Sequence, residues 1–293
     1  MELIDGKKVA SELKLELKKQ VAEMIDNDIP APHLAAILVG DDPASHTYVN
    51  SKEKDCREVG FISSLYKHTE KITERELFEI IDFINNDEEI DGLIVQLPLP
   101  KHISESKVIQ RINPAKDVDG FHPLNVGKML KGLPTYLPAT PYGIMQLIER
   151  YDIDTEGKNC VVLGRSDIVG TPMSILLSRK TNPGNCTVTL CHSRTRDLKK
   201  IAAEADILIA AIGSPGFVNA DMVKKDAVVI DVGIHRVPAP ERASGFKLAG
   251  DVQFEEVAKK CSYITPVPGG VGPMTRVGLL QNTFIAAKKE IYF

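Results

Sequence analysis

"CVVLGRSDIVGTPMSILL", residues 160 to 177, is the stretch on which the fold turns. Cys160 to Leu163 read as a buried strand, Gly164 opens a tight turn, and a helix follows. Strand, turn and helix in that order are the context in which a nucleotide-binding fingerprint has meaning. The spacing here is GxSxxxG. Gly164 suits the sharp turn and Gly170 lets the helix approach the sheet. Ser166 stands where a middle glycine is usual, so the fingerprint is degenerate. The helix N-terminus still offers N–H groups and a positive dipole end to a phosphate.

The next strand, "TVTLCH" (187 to 192), sharpens the reading. At its carboxyl end an NAD-binding fold places Asp or Glu for the ribose hydroxyls, whereas this chain has His192, Ser193 and Arg194. An acid there would repel a 2′-phosphate. A hydroxyl and a guanidinium bind it, and Arg165 at the first turn adds a charge-assisted contact. The expected cofactor is NADP rather than NAD; the bland alternative makes Arg194 an ordinary surface-loop arginine. Gly213, Gly216 and Gly233 end later strands, where small residues permit close approach of a cofactor.

Working outward, "NCVVLG" (159 to 164), "TVTLCH", "DILIAAIG" (206 to 213) and "AVVIDVGI" (227 to 234) form one alternating series with helices between. A second series precedes it: "LAAILV" (34 to 39), "FISSLY" (61 to 66) and "GLIVQL" (92 to 97). Short apolar runs alternating with helical patterns are the signature of a parallel α/β architecture. Thr73 with Glu76 is a capping box. Residues 114 to 140, rich in Pro and Gly, read as a linker or active-site loop. Thr140-Pro141 starts a helix through about Arg150, and a glycine-rich turn feeds a last helix from about Met274. The reading is two α/β domains, the second a Rossmann-like parallel sheet.

Composition narrows the function. The chain has 293 residues, 43% apolar and 26% charged, with net charge -4 and no basic block, so no nucleic-acid or anionic-membrane surface is expected. No apolar run approaches a membrane span, and the N-terminus enters an amphipathic pattern (Leu13, Leu17, Val21, Met24, Ile25) without signal or transit character. Five cysteines without a CxxC pair fit reduced thiols in the cytoplasm. Seven histidines lack metal-ligand spacing, so no metal is expected.

In the first half, "YVNSKEKDCREVG" (48 to 60) is a charged helix with Asp42 as N-cap, Pro43 in the first turn and Gly60 as its stop. At about 100° per residue, Tyr48, Val59, Lys52, Cys56 and Val49 share one apolar arc, so Lys52 is the one basic residue aimed inward. Snorkelling would lay its stem on that face with the ammonium in water. Gln96 sits inside an otherwise apolar strand, and a buried amide needs partners. "KDVDGFHP" supplies Asp117 and Asp119 on a loop, where an Asp before Gly120 is also an ordinary turn residue.

"YVNSKEKDC", "DGLIVQLPLP", "PAKDVDGFHPLNVGKM", "GRSDIVGTPM" and "YITPVPGGVGPMT" together resemble the bifunctional methylenetetrahydrofolate dehydrogenase/cyclohydrolase family, in the same order along nearly the whole chain. The resemblance implies a cytoplasmic homodimer of two domains, residues 1–138 completed by the helix 274–293, and residues 139–273, with folate in the cleft between them and NADP on the second. It implies two consecutive reactions of one-carbon metabolism, which feeds purine biosynthesis: oxidation of 5,10-methylenetetrahydrofolate to 5,10-methenyltetrahydrofolate, then hydrolysis to 10-formyltetrahydrofolate. By motif, Tyr48 and Lys52 are the catalytic pair, Gln96 assists the lysine, and Asp119 anchors the pterin. Val95, Leu97 and the turn of Pro268, Gly269, Gly270, Val271 and Gly272 border the folate. Gly164, Arg165, Ser166, Ser193 and Ile234 match the cofactor positions, beside Arg194.

Chemistry gives these roles a reason. Hydride removal from a carbon between two nitrogens mainly needs orientation. Hydrolysis of the resulting amidinium needs a base for the attacking water. A lysine serves if it releases its proton near neutral pH, and an apolar setting and a substrate cation both act in that direction. Two rivals use the same residues. YxxxK is also the short-chain dehydrogenase pair, but that family places it after the nucleotide-binding turn, whereas here it precedes Gly164. A non-enzymatic NADP sensor leaves Lys52, Gln96 and Asp119 together unexplained.

Overall fold

The computed structural model describes residues 1–242 and 245–292. The chain forms two compact units: Met1–Ser11 with Thr140–Thr275, and Glu12–Ala139 with the chain from Arg276 on. Among the described residues no helix is long and apolar enough to cross a membrane.

The larger sheet belongs to the first of these units. Its strands are β1 (Glu2–Leu3), β5 (Asn159–Leu163), β6 (Thr187–Cys191), β7 (Ile207–Ala210), β8 (Val228–Asp231) and β11 (Tyr263–Ile264). They lie in the order β1-β11-β8-β7-β5-β6, and every pairing is parallel. Order reverses at β5, whose neighbours are β6 and β7, so the crevice at the carboxyl ends of these strands is where a doubly wound sheet takes a ligand. Helices α6 (Ala139–Arg150), α7 (Gly170–Ser178), α8 (Leu198–Ala203) and α9 (Phe254–Val257) serve the crossovers, and an antiparallel hairpin of β9 (His235–Pro238) and β10 (Phe246–Ala249) follows β8. Val161, Leu163, Leu208, Ala210 and Val229 are fully buried in its core.

The second unit carries a three-stranded parallel sheet, order β3-β2-β4, from β2 (His33–Val39), β3 (Ile62–His68) and β4 (Gly92–Val95). Its helices are α2 (Pro43–Val59), α3 (Glu74–Asn86), α4 (Glu105–Arg111) and α5 (Pro123–Lys131). The boundary between units falls, in sequence, within α1 (Gly6–Asp26) and α10 (Val271–Ala287). Leu279, Leu280 and Phe284 of α10 join Leu17, Val21, Cys56, Val59 and Tyr136 in one core.

Local signals account for most of these elements. Asp42 accepts from Ser45 N–H at 2.7 Å and Gly60 ends α2 in the left-handed region; Thr73 and Glu76 close a reciprocal capping box on α3. Three features depart from the sequence reading. The segment 114 to 140 contains α5, started by His122 accepting from Leu124 N–H and stopped at Gly132. Its buried positions include Asn125 beside Met129, so the apolar periodicity that betrays a helix is broken. The last helix starts at Val271 rather than Met274, because Pro273 falls in the first turn, where no intrahelical N–H is needed. The first residues lie in the unit of the larger sheet, since Glu2 and Leu3 pair with Tyr263 and Ile264.

Candidate functional site

Lys52 sits where α2 is anchored. Gly40 (φ 87°) turns the chain out of β2, Asp42 caps the helix, and Val49, Cys56 and Val59, all at most 2% exposed, seat it on the sheet. Lys52, on the same side, is half-buried, and its Nζ donates to Gln96 Oε1 at 3.2 Å. Gln96 stands one residue past the end of β4, where its backbone N–H still reaches Ile37 O in the ladder with β2. Its amide cannot rotate freely, because Nε2 donates to Leu97 O at 2.7 Å. Val95 is buried beside it and Leu97 half-buried. Tyr48, one turn before Lys52, is 37% exposed; burial of its ring side pushes the phenol upward and the Arg276 guanidinium pulls it back.

Asp119 is held from both sides. Asp117, buried, accepts from Phe121 N–H, His122 N–H and Asn125 Nδ2. Asn282 of α10 donates to both Val118 O and Leu137 O at 2.8 Å. Gly120 (φ 74°) closes the turn, and a Cβ there would lie 2.7 Å from the Leu137 carbonyl carbon. Among the described residues no donor reaches the Asp119 carboxylate. Burial raises it above the ordinary Asp range and the Lys52 ammonium draws it part of the way down. One unit thus assembles an oriented amine, an amide and an unpaired acceptor from α2, the end of β4 and the loop before α5.

The other unit assembles the nucleotide candidates. Gly164 takes φ 110°, and a Cβ on it would fall 2.0 Å from Ala211 O; one on Gly170 would fall 1.9 Å from Gly164 O. Both glycines are therefore obligatory for this strand, turn and helix to pack. Ser166 does more than replace a glycine: its Oγ accepts from Val169 N–H (3.2 Å) and Gly170 N–H (3.4 Å), so these first-turn amides are not free. The register Leu163↔Cys191 brings Arg165 and Ser193, each two residues beyond, to the same end of neighbouring strands, with Arg194 next to them. All three are exposed. A two-residue reach of hydroxyl and guanidiniums around one open corner fits a phosphomonoester. Ile234, 46% exposed, follows β8 on the opposite flank of β7.

Pro268 to Gly272 belongs to the unit of the larger sheet, not to that of Lys52. Gly269 O accepts from Lys7 N–H at 2.8 Å, Gly270 N–H returns to Pro266 O, and Val271 and Gly272 already begin α10. Two groupings escape the sequence reading. Asp55, a turn past Lys52, accepts from both Lys14 and Arg276; Asp231 and Asp251 form a buried network beyond β8. Partners 221 residues apart leave no periodic signal.

Two models of one family match successive parts of the chain. The model of the tetrahydrofolate dehydrogenase/cyclohydrolase catalytic domain matches residues 4–119, and that of the NAD(P)-binding domain of the same family matches residues 138–291. The bifunctional protein FolD of Bacteroides thetaiotaomicron is 59% identical over 292 residues, 100% of each chain, and that of Cytophaga hutchinsonii is 61% identical over 98% of this chain and 99% of its own. The crystal structure of the FolD methylenetetrahydrofolate dehydrogenase/cyclohydrolase of Campylobacter jejuni superposes with a TM-score of 0.93, at 48% identity over 99% of both chains. The Trypanosoma brucei FolD, complexed with NADP and an inhibitor, gives 0.93 at 37% identity over 99% of this chain and 98% of its own. With family models matching residues 4–119 and 138–291 and relatives 59% and 61% identical over nearly their whole lengths, the chain belongs to the tetrahydrofolate dehydrogenase/cyclohydrolase family.

Proposed function

We propose that this chain oxidises 5,10-methylenetetrahydrofolate to 5,10-methenyltetrahydrofolate with NADP and hydrolyses the product to 10-formyltetrahydrofolate. The observation that carries the reading is the Lys52 Nζ to Gln96 Oε1 hydrogen bond, with Asp119 as an acceptor electrostatically coupled to the same ammonium. In the first step the methylene carbon loses a hydride and becomes an amidinium cation; NADP, when bound, supplies the acceptor. The protein's part is orientation: Asp119 accepts donor groups of the pterin, and Tyr48 offers a partly exposed ring for the aryl portion.

In the second step water adds to the cationic carbon and loses a proton, and the C–N5 bond breaks as N5 takes a proton, giving the formyl group on N10. Lys52 is the group placed to hold and return that proton. Gln96 donates nothing to it; its carbonyl oxygen accepts from the ammonium and fixes the nitrogen's position. Hydroxyl and guanidinium at Ser193, Arg165 and Arg194 support NADP over NAD, with Gly164, Ser166 and Ile234 along the same strand ends. Folate chemistry then resides on the unit of Lys52 and the nucleotide on the unit of the larger sheet. Five buried thiols suit a reducing cytoplasm, and a homodimer, proposed from family resemblance, is checked by sedimentation.

Lys52→Met tests the reading with both steps assayed. Methenyl hydrolysis should fall by about 10²-fold or more, the range of a positioned acid/base group, while folate still binds. Undiminished hydrolysis would refute the role.

A further inference from the structure

Two buried aspartates, Asp231 at the end of β8 and Asp251 just after β10, have no part in the chemistry above. Asp251, fully buried, accepts through Oδ2 from Ile212 N–H (2.7 Å) and Gly213 N–H (3.0 Å), and through Oδ1 from Ser214 N–H (2.9 Å) and His235 Nε2 (2.8 Å). Asp231, the last residue of β8, accepts from Gly233 N–H (3.0 Å), Asp251 N–H (2.9 Å) and Val252 N–H (3.0 Å). The surroundings are cut to these carboxylates: a Cβ on Gly233 would fall 2.5 Å from Asp251 Oδ1, and one on Gly250 would fall 1.8 Å from Asp231 Oδ2.

Burying carboxylates is costly unless they are fully hydrogen-bonded, and here the bonds go to one turn. Ile212 to Ser214 leaves the carboxyl end of β7, beside β8 in register (Ala210↔Asp231), at the edge of the sheet where ligands bind. With three consecutive N–H groups drawn inward, the carbonyls of Ile212 and Gly213 are left over. Among the described residues neither accepts a hydrogen bond. Gly213 (φ 78°) faces open space, since nothing lies within 4 Å of where its Cβ would be. The 2′-phosphate candidates stand at β5 and β6, so the far end of a dinucleotide crossing the sheet reaches β7 and β8.

We propose that Asp251 is the positioning residue of the nicotinamide end of the cofactor site: by fixing the amides of Ile212, Gly213 and Ser214 inward, it presents the Ile212 and Gly213 carbonyl oxygens to the carboxamide NH₂ of the nicotinamide. The proposal rests on the NADP reading above. That oxygen pair gives the site a preference for the carboxamide over a ring substituent without N–H donors.

The test uses the full chain, NADP, and the 3-acetylpyridine analogue of NADP, which has a methyl group where the NH₂ stands. The unaltered protein should bind NADP about tenfold more tightly than the analogue, the value of one hydrogen bond. Asp251→Asn should bind NADP about tenfold more weakly, approach equal affinity for the two dinucleotides, and retain methenyl hydrolysis, which consumes no NADP. Equal affinities in the unaltered protein overturn the proposal whether or not the variant folds. So does an Asp251→Asn protein that keeps the discrimination, or one that loses hydrolysis and NADP binding together. Failure of the underlying reading looks different: an unaltered protein that turns over no methylenetetrahydrofolate.

Discussion

Lys52 and Gln96, 44 residues apart in sequence, are joined Nζ to Oε1 at 3.2 Å, and the amide's other end is tied to Leu97 O at 2.7 Å. The tie fixes which face of the amide the lysine meets: it is always the oxygen. Gln96→Glu puts a charge in its place. A carboxylate there pairs with the ammonium and holds the proton on the nitrogen that must take one from water. Hydrolysis at pH 7 should fall by about 10²-fold. A Gln96→Glu protein that hydrolyses methenyltetrahydrofolate as fast as the unaltered enzyme would contradict this.

Asp119 combines partial burial, no donor among the described residues and a carboxyl raised by desolvation. Since its folded value lies above its unfolded one, ionisation costs the fold: that cost is absent below the unfolded value and grows as pH rises through the window between the two. Asp119→Asn should therefore stabilise the protein by about 1 kcal/mol at pH 7, raising Tm by about 2–4 °C, while folate affinity collapses. Calorimetry beside substrate titration checks both.

Asp55 links three helices, accepting from Lys14 of α1 at 3.0 Å and from Arg276 Nε of α10 at 2.5 Å. Burial lowers the Lys14 pKa, but the bonds to Glu58 and Asp55 outweigh it and hold the ammonium above its ordinary value. The contribution is thus whole below the unfolded lysine value and is lost only as pH rises through the folded one. Asp55→Asn leaves two cations facing a neutral amide. Breaking such a pair when buried costs about 3–5 kcal/mol; with Lys14 and Arg276 partly in solvent, about 2 kcal/mol is expected. A thermal melt at pH 7 reads it, and Arg276→Met in the Asp55→Asn background should recover part of the loss.

All five cysteines are buried. Burial pushes the Cys56 thiol up to about 12 and the Cys186 thiol up to about 11, so neither is a thiolate at physiological pH. The native protein at pH 8 should take up no thiol reagent within the time that the unfolded chain takes up five equivalents. Rapid alkylation of Cys56, one turn from Lys52, would show that α2 opens.

The proposed NADP preference places the 2′-phosphate at the exposed corner of Arg165, Ser193 and Arg194. Ser193→Asp places an anion where the 2′-phosphate is expected and should weaken NADP by about 10²-fold, the loss of a charge-assisted contact with added repulsion, while improving NAD. Side-by-side kinetics with the two dinucleotides decide it.

Local chemistry made much of this legible. The caps at Asp42, Gly60 and Thr73 involve residues within four positions of one another, so the sequence shows the whole interaction. Gly164 and Gly170 were readable for the same reason. Helix α5 was not, because Asn125 occupies a buried position and earns its place through Asp117 and Tyr292, which lie outside the helix. Nor was the role of Ser166, whose hydroxyl turns back onto Val169 and Gly170 instead of leaving those amides open.

The sequence by itself determined the parallel α/β class, the strand–turn–helix at Gly164 and an inward lysine on a capped helix, because these follow from periodicity and from sterics among near neighbours. Tertiary structure alone decided that Lys52 meets an amide oxygen, that Asp55 draws α1 and α10 to α2, that the first strand pairs with β11, and that Asp251 gathers the amides of Ile212 to Ser214. Each of these is a directional bond between segments far apart in the chain. Its energy depends on angles and distances that exist only after both segments have been packed.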